Sequence, residues 1–237
     1  MSPYENAWQA LRSRIATTAQ AAGRDPASIR LLAVSKGFPV DVIRAAYALG
    51  QRAFGENYVQ EAVAKVESLA AELPDIEWHL IGPLQGNKAR DAAACFAWVQ
   101  TIDRPEIAER LSAARDMHLP PLNVCVQVNI SGERTKSGAL PEAALTLARN
   151  VSRLPRLKFR GFMGIADPAA DPLRQRAQFR LLRQLFDNAR VDGLPIDTLS
   201  IGMSNDFAPA IGEGSTMLRI GTGLFGPRPA KPKGVKP

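Results

Sequence analysis

Two basic residues and two small-residue turns have the most chemistry to offer. Lys36 closes the apolar run Leu31-Leu32-Ala33-Val34-Ser35-Lys36. In an extended chain, alternation puts Leu32, Val34 and Lys36 on one face. A lysine ending such a run is partly desolvated, which lowers its pKa and favours condensation with an aldehyde. The plainer reading is an amine that snorkels to solvent. Arg219 lies in Met217-Leu218-Arg219-Ile220-Gly221-Thr222-Gly223. If Leu218 and Ile220 face covering helices, Arg219 points inward and needs an acceptor, either a salt-bridge partner or a ligand atom. Gly221 and Gly223 let backbone N–H groups approach an anion, and Thr222 adds a hydroxyl. Ser204, in Ile201-Gly202-Met203-Ser204-Asn205-Asp206, precedes a short helical stretch. It suits an N-cap or a phosphate donor.

Other candidates carry less. Glu56 and Asn57 sit at a strand-to-helix turn, where Asn57 serves equally as a helix N-cap. His79 shares a strand face with Ile81 and reads as a hydrogen-bonded core histidine. Met163, in Gly161-Phe162-Met163-Gly164-Ile165, packs against a flat ring or simply fills core. No Ser/His/Asp arrangement or metal-ligand spacing is present in the 237 residues.

The elements that must position these residues alternate. Strand-like runs fall at 31–36, 52–55, 77–82, 98–102, 122–129, 157–165, 197–201 and 217–221. Helical runs lie between them, and a leading helix carries Ser2 as N-cap, Pro3 at its first position and Glu5 as capping-box carboxylate. Strand–helix alternation means a parallel sheet covered by helices. Eight strands in a chain of this length predict a single (β/α)8 TIM-type barrel with an extra N-terminal helix; an open, doubly wound sheet is the alternative. In such a barrel the active face is at the strands' C-terminal ends, with phosphate commonly bound by the loops after strands seven and eight. Those loops hold Ser204 and the Gly221–Gly223 turn.

Composition narrows the function classes. Net charge is +7, but Arg228, Lys231, Lys233 and Lys236 fall in the last ten residues without an acid, leaving +3 elsewhere. The expectation is a barrel domain over 1–226 and a disordered, basic Pro/Lys-rich tail over 227–237. That tail has no stacking aromatic, so a solvated tail is preferred to a nucleic-acid footprint. Cys95 and Cys125 are isolated in apolar stretches and read as thiols in a reducing, cytoplasmic compartment. No signal-peptide pattern or apolar run of about 18 residues marks a membrane partner.

Taken together, the stretches LLAVSK, FGENYVQE, WHLIGPLQGNK, VQVNI with TKSG, GFMGI and IGMSNDFAPAIGEGSTMLRIGTGLFG resemble the pyridoxal phosphate homeostasis protein family, itself related to the N-terminal barrel of alanine racemase. The resemblance runs from about residue 30 to Gly226. It implies pyridoxal 5′-phosphate (PLP) as cofactor, held as a Schiff base on Lys36. It implies that Ser204, Gly221 and Thr222 hold the phosphate, that Arg219 meets the pyridine nitrogen, and that Asn57 lies near the ring, with Met163 as a ring-packing candidate. Lys136 matches a lysine near the barrel mouth.

An arginine facing the pyridine nitrogen keeps it unprotonated and makes the ring a poor electron sink. A racemase also needs a second base, and Tyr4, Tyr47 and Tyr58 all fall in helical runs or at a helix start. The expectation is therefore a PLP carrier in cofactor homeostasis without strong catalytic activity. PLP-requiring apo-enzymes are open as partners. With no second domain to complete a shared site, a monomer is expected. The alternatives are a weak PLP-dependent amino-acid racemase and, from another class, a nucleic-acid-binding protein using the basic tail.

Overall fold

The computed structural model describes residues 3–133 and 136–228. The Ser2 cap and residues 229–237 of the basic tail lie outside the described residues.

Eight short, nearly continuous apolar runs form strands buried on both faces, the pattern of a parallel sheet enclosed by helices. They are β1 (Arg30–Val34), β2 (Ala53–Glu56), β3 (Glu77–Leu80), β4 (Trp98–Ile102), β5 (Leu122–Val128), β6 (Leu157–Gly164), β7 (Thr198–Ser200) and β8 (Met217–Ile220). Each pairs in parallel with the next, and β8 pairs with β1 to close the barrel. The helices are α1 (Pro3–Ala21), α2 (Val40–Ala48), α3 (Val59–Leu69), α4 (Ala89–Cys95), α5 (Pro105–Ala114), α6 (Pro141–Ser152), α7 (Pro172–Val191), α8 (Phe207–Gly212) and α9 (Thr222–Phe225). The closed order excludes the open-sheet alternative.

Strand alternation divides the core in two. Leu32, Ala53, Trp98, Cys125, Met163 and Met217 pack together as a separate cluster. Ala33, Phe54, Leu80, Val124, Phe162 and Leu218 belong to the larger cluster that takes in the helices. Each fully buried Leu, Ile or Phe contributes about 1.5–3 kcal/mol. Leu32 stands beside Arg219 across the β1–β8 seam, which sets Arg219 on the same face as the smaller cluster. In α1, Trp8, Leu11, Ile15 and Ala19 recur at helical spacing and are buried. Its Tyr4 meets Phe225 of α9 edge-on, and Arg14 lies over the Phe207 ring of α8.

The element boundaries differ from expectation where loops take over. β1 ends at Val34, and Ser35 extends it by one bond, its N–H donating to the Gly55 carbonyl at 3.0 Å. Lys36 then occupies the second position of a turn closed by Phe38 N–H to Ser35 C=O at 3.1 Å. Gly37 is third, with φ of 73°, a conformation that favours glycine. The short α9, directly after β8, is an element not anticipated from the sequence.

Candidate functional site

The C-terminal ends of the strands open into a cavity of about 290 Å³. Lys36, Asn57, Ser204, Arg219, Gly221 and Thr222 all line it. They arrive from β1, β2, β7 and β8 and the loops that follow them, so residues up to 186 positions apart in sequence meet because the barrel closes. A larger cleft, about 560 Å³, lies at the opposite end beside Trp8, Arg12, Arg30 and Arg52. There Arg30 is paired with Glu77 and Arg52 with Asp75.

Lys36 is half-buried. Desolvation holds its amine below the usual lysine range, reinforced by Arg228 and Arg219 and opposed by Glu56 and Glu61. An amine so lowered is more readily neutral and nucleophilic. Arg219 is buried, and burial lowers its pKa to about 10, which leaves it cationic at neutral pH. Its Nη1 donates to Ser200 O at 2.6 Å and Ser200 Oγ at 2.8 Å, and its Nη2 donates to Gly164 O at 2.8 Å. A guanidinium carries about five N–H donors. Those not spent on Ser200 and Gly164 belong to a side chain lining the cavity.

Behind Arg219 runs a buried polar chain. Ser200 Oγ donates to Gln100 Oε1 at 2.7 Å, Gln100 Nε2 donates to His79 Nδ1 at 2.9 Å, and His79 Nε2 donates to Glu77 Oε1 at 2.6 Å. His79 is thus a hydrogen-bonded core histidine, stacked on Trp98 with ring centroids 5.1 Å apart. Full burial lowers its pKa to about 4, so the ring is neutral.

The small-residue turns meet at one corner. Gly221 caps α9, and Gly223 N–H donates to Ser204 Oγ at 3.2 Å. A Cβ on Gly223 would stand 3.4 Å from Ser204 Oγ and 3.1 Å from Ile220, so the glycine keeps this corner open. Ser204 does not cap a helix: α8 starts at Phe207, and Asp206 occupies its N-cap position. Nor does Asn57 cap α3, whose N-cap position is Tyr58. The Asn57 side-chain Oδ1 is buried without a hydrogen-bond partner.

Met163 is not brought to the cavity. It is fully buried in the smaller cluster, one layer below the mouth, and Ile165, two residues on and on the same strand face, lines the cavity instead. Ile81 stands in the same relation to His79. Carrying the strand alternation two residues further would have found both. Arg228, grouped with the tail in the sequence reading, also lines the cavity and packs against Gly37. Lys136 borders a neighbouring hollow with Asn129 and Asn57 and pairs with Glu133. None of the three tyrosines lines the cavity: Tyr47 bonds Asp75, Tyr4 meets Phe225 and Tyr58 is exposed. Among the described residues no group of three or more His, Cys, Asp or Glu could hold a metal ion, and no helix is long and apolar enough to cross a membrane.

Fold and site together define a β/α-barrel protein with a cationic, lysine-bearing cavity at its mouth. Residues 7–229 match the family model described as alanine racemase, N-terminal domain. Within that fold, the chain belongs to the pyridoxal phosphate homeostasis protein family. It is 54% identical over 216 residues to the member from Pseudomonas aeruginosa, covering 91% of this chain and 92% of that one. It is 48% identical over 219 residues to the member from Escherichia coli K12, covering 92% and 94%. Among solved structures, PipY of Synechococcus elongatus with PLP bound aligns with a TM-score of 0.78 at 38% identity, covering 90% of this chain and 100% of that one. Alanine racemase from Corynebacterium glutamicum aligns with a TM-score of 0.64 at 18% identity, covering 94% of this chain and 62% of that one, a likeness of fold alone.

Proposed function

We propose that this protein is a PLP carrier that holds the cofactor in the mouth cavity, linked as a Schiff base to Lys36. The observation that carries the reading is the convergence in one cavity of a desolvated amine, a pinned guanidinium and an open Gly-Thr-Gly corner beside Ser204. The residues fit the cofactor's parts. Ser204, Gly221 and Thr222 receive the phosphate. Arg219 would offer an N–H to the pyridine nitrogen. Asn57, with its unpartnered Oδ1, would face the ring, and Ile81 and Ile165 would supply apolar contact in place of Met163. A structure of the relative PipY with PLP bound supports PLP as the ligand.

PLP supplies an aldehyde and an electron-withdrawing ring. The protein's own groups restrain that chemistry. Arg219 stays cationic and opposes a second positive charge on the pyridine nitrogen, so carbanion formation gains little. The reading is therefore storage and delivery of PLP without strong catalysis, in a reducing cytoplasm, by a monomer that hands PLP to apo-enzymes. It takes 1–226 as the barrel domain and 227–237 as an appended basic stretch, with Arg228 drawn into the cavity.

Borohydride reduction of PLP-loaded protein followed by peptide mass spectrometry tests the site. Label on Lys36 is expected. Label on another lysine, or none, overturns the assignment. A panel of amino acids tests the carrier role, and efficient turnover of any of them replaces it with the racemase alternative.

A further inference from the structure

The two peptide groups that flank Lys36 are each held by a charged side chain from α3. Lys65 Nζ donates to the Ser35 carbonyl at 2.8 Å, and the Gly37 N–H donates to Glu61 Oε1 at 2.6 Å. The two holders are themselves joined, Lys65 Nζ donating to Glu61 Oε1 at 2.7 Å. A third bond completes the cluster: Lys65 Nζ donates to Glu56 Oε1 at 2.8 Å, the same oxygen that accepts from Ser35 Oγ at 2.6 Å. All three ammonium donors of Lys65 are thus spent. Lys65 and Glu56 are buried, at 6% and 0% exposure, on the loop's inner side.

Such a cluster is costly for a surface loop. Burying charges is tolerated only with full pairing, and a buried ion pair adds little net stability over apolar packing. Stability alone therefore does not account for it. What it does locally is specific. The turn at Lys36 cannot shift without breaking bonds to Lys65 or Glu61. Meanwhile Oε1 of each carboxylate nearest Lys36 is taken by Lys65, Glu56 Oε2 is buried without a hydrogen-bond partner, and Lys36 itself has no ion-pair partner among the described residues.

We propose that Lys65 is a positioning residue for Lys36, fixing the turn that carries it and drawing Glu56 and Glu61 away from its amine. The significance of this for the cofactor rests on the reading of Lys36 as the PLP-linking amine. The charged groups that face Lys36 are Glu56 from β2, Glu61 from α3, Arg219 from β8 and Arg228 beyond α9. Both carboxylates raise its pKa and both arginines lower it. Lys65 tips this balance by partly offsetting the carboxylates, which still raise the Lys36 pKa in its presence. Without it they are free to pair with the Lys36 ammonium and keep the amine protonated, hence unreactive.

The test reads the amine directly. Protein free of PLP is labelled with formaldehyde and cyanoborohydride across a pH series, and the extent at Lys36 is followed by peptide mass spectrometry. Lys65→Met should move the half-maximal labelling of Lys36 upward by about one pH unit. Glu61→Gln, which keeps an acceptor for Gly37 N–H but removes a carboxylate, should move it downward. It also remains readable if Lys65→Met fails to fold. In PLP-loading experiments at neutral pH, Lys65→Met should weaken binding about tenfold. A folded Lys65→Met variant, or Glu61→Gln, with the wild-type labelling profile overturns the proposal, even if its melting temperature falls. Failure of wild-type protein to bind PLP would instead remove the carrier reading and leave the labelling result to stand alone.

Discussion

Nη1 of Arg219 and Oγ of Ser200 are 2.8 Å apart, and this one hydrogen bond orders a buried chain that spans the barrel. Arginine can only donate, so Ser200 Oγ accepts from it and turns its own proton toward Gln100. Gln100 must then offer its amide N–H to His79 Nδ1, and His79 must carry its proton on Nε2, toward Glu77. Every donor points away from Arg219 and toward a carboxylate, a polarity that strengthens each bond in turn.

Ser200→Ala cuts that chain next to Arg219. Gln100 Oε1 loses its buried donor, while Arg219 keeps the carbonyls of Ser200 and Gly164. Leaving a buried acceptor unmatched costs about 2 kcal/mol. In a chain of this size that lowers Tm by about 5 °C. Thermal unfolding of the protein without PLP checks this, and an unchanged Tm would mean the bond contributes nothing net.

His79 makes stability pH-dependent in a defined window. Its folded pKa is depressed from the ordinary 6.5 to about 4 by burial. The unfolded chain therefore takes up a proton that the native state refuses, and stability falls as pH drops from about 6.5 to about 4. The full loss is on the order of 3 kcal/mol. Glu77, held below the usual carboxylate range by His79 and Arg30 despite its burial, contributes above its unfolded value and loses that contribution at the acid end. Denaturant unfolding of wild type and His79→Gln at pH 7 and pH 4.5 separates the two. The gap between them should narrow at the lower pH; parallel curves would assign the slope to other groups.

Lys36→Ala should abolish the Schiff-base absorption band while keeping weak PLP binding. The corner made by Ser204, Gly221 and Thr222 and the guanidinium of Arg219 are untouched by the change. Equilibrium dialysis gives the comparison. Affinity equal to wild type would show that the covalent link adds nothing, and complete loss would show that the corner does not hold the phosphate by itself.

Much of this architecture was legible in the sequence because it repeats simple periods. Eight apolar runs at strand spacing, separated by helical stretches, define the barrel, and strand parity groups Leu32 with Lys36 and sets Arg219 opposite Leu218 and Ile220, while the β1–β8 register brings Leu32 beside Arg219. What was not legible depends on partners distant in sequence. Ser204 reads as an N-cap from its neighbours, but the helix start at Phe207 and the approach of Gly223 decide otherwise. Met163 has the right parity but the wrong height, because strand β6 runs on to Gly164 before the mouth begins. Lys65 sits among ordinary helix residues, and nothing in Gln60-Glu61-Ala62-Val63-Ala64-Lys65 reveals that its amine reaches Ser35. Arg228 belongs to a basic, proline-rich stretch by composition, and only the packing against Gly37 draws it into the site.

Arg219 offers the sharpest test of carrier against enzyme. Its side chain lies between two carbonyl oxygens, of Ser200 and Gly164, and lines the cavity. Arg219→Glu would set a carboxylate against those same carbonyls. Without PLP the variant should lose about 3–5 kcal/mol, since a buried charge is left unpaired beside like dipoles. A carboxylate there would stabilise the protonated form of a pyridine nitrogen, the proton coming from solvent, so PLP should raise the melting temperature of the variant by more than that of wild type. The protonated ring is a better electron sink, and slow transamination of L-alanine should exceed the wild-type rate. Arg219→Gln is the control: it keeps an amide donor for one carbonyl, leaves the ring nitrogen neutral and should not gain that activity. Spectra and melting curves with PLP bound establish that each variant is loaded before any rate is compared. If Arg219→Glu binds PLP and stays as inert as wild type, the restraint on catalysis does not come from the guanidinium. The restraint would then have to lie elsewhere in the cavity.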